Sequence, residues 1–214
     1  MDFDGDGRLD LISGASSGDS AAFHLFRRKE NGSWAPRRRL EVTPASKLHT
    51  DSQPSFVTAA DWNGDGVPDL LIRVGVGNGI LVALGPFKEN EPIALSHEIG
   101  FTPKGYVMDF AVADWDRDRK PDLLVRQRLP GVDLDGTEGI YWYKNLGGAG
   151  RPKLAEGKLL LEISSDMRVR GFCVGDWNGD GWPDLIVTRD ELVRPYREGM
   201  GTVWRGTVWV YLRD

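Results

Sequence analysis

Four short apolar runs punctuate a polar chain, and each begins where an aspartate-rich stretch ends: Leu9-Asp-Leu-Ile12, Pro68-Asp-Leu-Leu-Ile72, Pro121-Asp-Leu-Leu-Val125 and Pro183-Asp-Leu-Ile-Val187. Runs of this length, bounded by turn residues, read as buried strands rather than helix faces. Around the second run the pattern predicts strands over Phe56–Ala60, Asp69–Val74 and Ile80–Leu84, with a weaker one over Ile93–Ile99. A hairpin turn falls at Gly75–Gly79. The third run predicts Val107–Ala113, Pro121–Arg126, Gly139–Lys144 and Leu159–Ile163. The fourth predicts Val169–Val174, Asp184–Thr188 and Thr207–Leu212, and the first predicts Leu9–Ser13, Ala22–Arg27 and Arg38–Val42. Up to four strands in about 55 residues is one propeller blade. The units are approximately 1–53, 54–104, 105–167 and 168–214, and the first and last each lack a strand.

The stretches before the apolar runs repeat one nonapeptide. Asp2–Asp10, Asp61–Asp69, Asp114–Asp122 and Asp176–Asp184 start at intervals of 59, 53 and 62 residues, a period typical of propellers and solenoids. Positions 1, 3, 5 and 9 hold Asp2, Asp4, Asp6 and Asp10; Asp61, Asn63, Asp65 and Asp69; Asp114, Asp116, Asp118 and Asp122; and Asp176, Asn178, Asp180 and Asp184. Oxygen-bearing side chains at alternate positions of a bent chain converge on a hard cation, and Ca2+ takes six to eight oxygens at roughly 2.3–2.6 Å. Glycines at positions 4 and 6 permit the bend, and position 6 calls for a positive φ. The third loop has Arg117 and Arg119 there instead, which bring positive charge beside the ion and make this the weakest site. An EF-hand opens in the same way but needs a bidentate Glu at position 12. Ser13, Ile72, Val125 and Val187 occupy that position, so the helical calcium hand is excluded.

With an aromatic residue at position 2 (Phe3, Trp62, Trp115, Trp177) and Pro-Asp-Leu at positions 8 to 10 in three copies, the repeat resembles the FG-GAP/VCBS repeats of integrin-α-like and bacterial secreted β-propellers. The resemblance implies an all-β fold, a single β-propeller or propeller segment of four blades over 1–214. It implies up to four Ca2+ ions, each also held by the backbone carbonyl at position 7: Arg8, Val67, Lys120 and Trp182. The chain is then either part of a propeller with more blades or an open array of four, whose bare blade edges invite pairing with another chain.

Composition narrows the function classes. The formal net charge of −5 comes from 32 acidic against 27 basic residues, with fourteen aspartates at the ion positions. The acidity is local to the loops and leaves no footprint for nucleic acid. No apolar run approaches the roughly 20 residues of a membrane span. There is no signal peptide, and Met1 leads straight into an ion loop, so the start reads as a cut within a longer secreted protein. Cys173 is the lone cysteine and reads as a small buried apolar residue.

Candidate chemistry beyond the ions is sparse. His24, His49 and His97 sit in unrelated contexts, and no nucleophile elbow, HExxH or Walker loop appears. Asp133, Asp135 and Glu138 offer a further acidic loop without the nonapeptide spacing. Alternation puts Tyr141 and Tyr143 on one strand face and Trp142 on the other, and one face is a candidate platform for a sugar ring. The leading expectation is a non-catalytic, calcium-binding extracellular or cell-surface scaffold for adhesion, with a protein or glycan ligand. The alternatives are a calcium-dependent carbohydrate-active enzyme domain, like a polysaccharide lyase, and a structural spacer.

Overall fold

The apolar runs form strands, as their pattern predicts. The computed structural model describes residues 1–17, 20–43, 54–74, 79–88, 91–95, 97–129, 137–148, 151–164, 167–193 and 203–213. The expected turn at Gly75–Gly79, apart from Gly79, lies outside these residues, as do Asp133, Asp135 and His49. Among the described residues no helix is long and apolar enough to cross a membrane. The chain divides into two units, one of Met1–Phe101 with Gly147–Lys153 and the other of Thr102–Leu146 with Leu154–Asp214.

In the first unit, β1 (Leu11–Ser17), β2 (Ser20–Phe26) and β3 (Arg38–Leu40) form an antiparallel sheet in that order. The strand expected over Arg38–Val42 breaks at Glu41, because β4 (Val42–Thr43) leaves to pair in parallel with β8 (Ile93–Ala94). The second sheet is β5 (Pro54–Ala60), β6 (Asp69–Val74), β7 (Ile80–Ala83) and β9 (His97–Glu98). The strand expected over Ile93–Ile99 is thus divided: its first half joins β4 and its second half completes this sheet. Leu70, Leu71 and Ile72 are all buried, so β6 is covered on both faces, which its unbroken apolar run requires. One core joins Phe23 and Leu25 of β2 with Leu70, Ile72 and Leu81 of the second sheet.

The second unit repeats the plan. Strands β10 (Tyr106–Ala113), β11 (Asp122–Arg128), β12 (Glu138–Tyr143) and β13 (Lys158–Ile163) form a meander, and β14 (Met167–Gly175), β15 (Asp184–Val193) and β16 (Val203–Tyr211) form a second antiparallel sheet. Their shared core contains Leu124, Ile140, Val169, Leu185 and Val187, with Phe172 and Val174 packed against it. Cys173 lies between Phe172 and Val174 and pairs with Ile186. Strand alternation therefore turns it to the opposite face, and it is exposed rather than buried as expected.

The same reasoning sorts the aromatic residues of the loops. Phe3 packs into the core of the first unit, stacked on Phe87 at 5.6 Å between centroids. Trp115 packs into the core of the second unit with Leu185 and Val187, and Trp62 is buried. Trp177, at the equivalent place on the last sheet, is 64% exposed, so core packing holds for three of the four. Tyr141 and Tyr143 are both buried, and the Tyr143 hydroxyl accepts from Gln127 Nε2 at 2.7 Å. The face expected to offer a wet sugar platform is therefore closed on the tyrosine side.

Candidate metal-binding loops

All four loops bend in one way, and the backbone shows why position 1 must be an acid. In the second loop Asp61 Oδ1 accepts the N–H groups of Gly64 at 2.8 Å and Asp65 at 3.0 Å, while Oδ2 accepts that of Gly66 at 2.9 Å. Asp2 accepts from Gly5, Asp6 and Gly7 in the same manner, and Asp176 from Gly179 and Gly181. Converging N–H groups at both sides of one side chain need two acceptor oxygens, which a carboxylate offers and an amide does not. Position 5 then turns the chain back: Asp6, Asp65, Asp118 and Asp180 accept the N–H groups of Arg8, Val67, Lys120 and Trp182 at 2.9, 2.8, 3.0 and 2.7 Å.

The bend needs a left-handed backbone at positions 4 and 6. Gly64 and Gly66 have φ of 76° and 85°, and the first and fourth loops match them. Arg117 and Arg119 adopt φ of 62° and 68°, so the third loop takes the same shape at a cost of roughly 1–2 kcal/mol per side-chain-bearing residue. Arg119→Gly should stabilise the chain by about 1 kcal/mol after the added freedom of the unfolded glycine is subtracted. Urea unfolding would read this as a higher midpoint, and a lower midpoint would contradict it.

Position 9 ties each loop to the sheet. Asp69 is fully buried. It accepts from Trp62 N at 2.9 Å through Oδ2 and from Gly85 N, just beyond β7, at 2.9 Å through Oδ1. Asp10 bridges Phe3 and Arg28, Asp122 bridges Trp115 and Asn145, and Asp184 bridges Trp177 and Arg213. Burial pushes the carboxyls of Asp69 and Asp122 above the ordinary range. Asp184 is held below it, chiefly by the Arg213 N–H.

The donor set fits a hard cation. One carboxylate oxygen from each of Asp2, Asp4 and Asp10 lies within 4.8 Å of the others, and so does one from each of Asp114, Asp116 and Asp122. Asp114 Oδ1 and Asp116 Oδ1 are buried without a hydrogen-bond partner, which is costly for a carboxylate unless a cation meets it. In the second and fourth loops Asn63 Nδ2 and Asn178 Nδ2 donate to Asp65 and Asp180 at 2.8 and 2.7 Å.

Sequence reasoning misplaced the positive charge of the third loop. The Arg117 guanidinium stacks over the Trp182 ring at 4.7 Å, and the cations at the loop carboxylates are Lys120, 3.9 Å from Asp118 Oδ2, and, closer, Lys144. Its Nζ donates to Asp116 Oδ2 and lies 3.1 Å from Asp118 Oδ2. These bonds, that to Asp116 first, push the ammonium well above its usual range. Only the pairing register of the β11–β12 hairpin brings Lys144 to the loop. Glu138, suggested as part of a further ion loop, instead pairs with Arg126 at 3.0 Å and Arg128 at 2.5 Å. His24 and His97 lie on β2 and β9.

The chain matches no curated protein. Residues 2–72, which carry the first two loops and the strands between them, match the model of one family and form an FG-GAP-like repeat.

Proposed function

We propose that the four loops bind Ca2+ and that the sheets are propeller blades of an extracellular, non-catalytic scaffold for adhesion or ligand binding. The observation that carries this reading is the pair of orphaned oxygens, Asp114 Oδ1 and Asp116 Oδ1, inside a loop whose backbone is copied in three others. The side chains at positions 1, 3, 5 and 9 would hold the ion, together with the carbonyls of Arg8, Val67, Lys120 and Trp182. A bound ion supplies charge neutralisation to carboxylates that otherwise repel one another. The residues around it do the rest: position 9 transmits the loop's order to two strands, and the glycines keep the backbone clear of the ligands. A scaffold built in this way presents its connecting loops at fixed spacing, which suits recognition of a protein or glycan ligand.

Chelation tests the ion reading directly. A site filled at about a hundred times its dissociation constant adds about 2.7 kcal/mol to native stability, which for a chain of this size is a rise of roughly 5–10 °C in Tm. Melts in millimolar Ca2+ and in EDTA should differ by at least that much. Superimposable melts would remove calcium from the proposal. A glycan array read in Ca2+ and in EDTA, with product analysis for cleavage, tests the scaffold role: retention that depends on calcium, without bond breakage, is the expected result.

A further inference from the structure

We propose that Lys144 is a tethered cation that competes with the divalent ion for the third loop, and that the residue at its place in each sheet sets the order of ion affinity among the loops. The argument rests on the calcium reading and adds to it a determinant outside the nonapeptide. The position-9 aspartate marks equivalent places in the sheets, because its Oδ1 accepts the N–H of Arg28, Gly85, Asn145 or Arg213. The residues immediately before these are Arg27, Leu84, Lys144 and Leu212.

These residues follow the charge at loop position 3. The two loops with an aspartate there, Asp4 and Asp116, have a cation at the marked place, and the two with an asparagine, Asn63 and Asn178, have a leucine. The cations reach the extra carboxylate: Arg27 Nη1 lies 3.2 Å from Asp4 Oδ2, and Lys144 Nζ bonds Asp116 Oδ2. Leu84 and Leu212 are exposed and bring no charge to their loops. Lys144 goes further than Arg27, since it also lies 3.1 Å from Asp118 Oδ2 and so spans positions 3 and 5. Ca2+ arriving in the third loop must displace a localised ammonium from two of its ligands. In the first loop it meets two delocalised guanidiniums, Arg27 on Asp4 and Arg8 on Asp6, each holding a single ligand. The second and fourth loops, with a leucine at the marked place, are therefore the tight sites, and the first and third, with cations on the ligands at positions 3 and 5, are the weak ones. These two are also the loops whose carboxylates stay partly neutralised when calcium is absent.

The full chain carrying Asp6→Ala, Asp65→Ala and Asp180→Ala keeps the third loop as its one complete site, and terbium luminescence sensitised by Trp115 reads its affinity. Adding Lys144→Leu should tighten Tb3+ binding at least tenfold and lower Tm in EDTA, with the loss recovered in Ca2+. Unchanged or weaker binding would overturn the inference. The reciprocal pair Asn63→Asp and Leu84→Lys, in otherwise wild-type chain, should weaken the second loop at least tenfold in calorimetry. This arm remains decisive if Lys144→Leu does not fold, and an unweakened second loop overturns the inference there as well. Failure of the calcium reading looks different: the wild-type chain would then show no calorimetric site at all, and both ideas would fall together.

Discussion

Asp122→Ala should cost about 3–5 kcal/mol of stability, and should do so in EDTA as well as in calcium. The side chain is fully buried and answers three donors: Trp115 N at 3.2 Å, Trp142 Nε1 at 2.9 Å and Asn145 N at 2.7 Å. Alanine leaves those donors without their acceptor, and each buried unsatisfied group costs roughly 1–3 kcal/mol. Water entering at the rim keeps the loss near the lower end of that sum. Asp118→Ala is the comparison, since its carboxylate is half-exposed and accepts only one backbone N–H, that of Lys120. That change should cost under about 1 kcal/mol in EDTA and act chiefly through the ion. Urea midpoints for both variants, in calcium and in EDTA, separate the two roles. Equal losses for the two in EDTA would mean that position 9 is no more structural than position 5.

That contrast explains which parts of the site could be read from the chain. A nine-residue bend is local: Asp61, Asn63, Asp65 and Asp69 are fixed relative to one another by the turn itself, and the need for positive φ at Gly66 follows from the glycine's place. Strand β6 was likewise legible end to end, Asp69–Val74, because an apolar run bounded by the loop leaves no other reading. Lys144 was not legible. It stands 22 residues beyond Asp122, and its closeness to Asp116 is a property of hairpin register rather than of any motif. The division of Ile93–Ile99 was hidden for a related reason, since the strand that captures Ile93–Ala94 lies about fifty residues earlier, at Val42–Thr43.

Burial proved harder to read than position. Trp115 and Trp177 occupy the same loop place after similar strands, yet one is buried and the other exposed. What decides the outcome is whether another sheet lies against that face, and Leu185 and Val187 supply one for Trp115. Cys173 follows the same rule. Its neighbours face the core, so alternation alone makes it exposed, and residue type pointed the other way. The aspartates of the loops escaped this difficulty because metal ligation and N–H capping both require the same acid at the same position.

Arg126→Met should be as damaging as Asp122→Ala, about 3–5 kcal/mol, for a reason with no connection to metal. Arg126 is 6% exposed on β11. Its Nε and Nη2 meet Asp109 Oδ1 and Oδ2 at 2.9 and 3.1 Å, and its Nη1 meets Glu138 Oε2 at 3.0 Å and the Val169 carbonyl at 2.9 Å. One guanidinium thus binds β10, β12 and β14, joining both sheets of the second unit. Methionine fills much of the volume but strips the buried Asp109 carboxylate of its forked partner, and breaking one side of a buried pair is what costs several kcal/mol. Arg126→Lys should fall between wild type and methionine, because an ammonium keeps the charge but cannot reproduce the fork. Arg126→Met combined with Asp109→Leu and Glu138→Leu should recover most of the loss, since it removes both carboxylates that faced the guanidinium. Urea midpoints should show the single change to be far worse than the triple one, with equal losses in calcium and EDTA. A triple variant as unstable as the single would mean that Arg126 acts through packing and the Val169 carbonyl, and that its ion pairs add little.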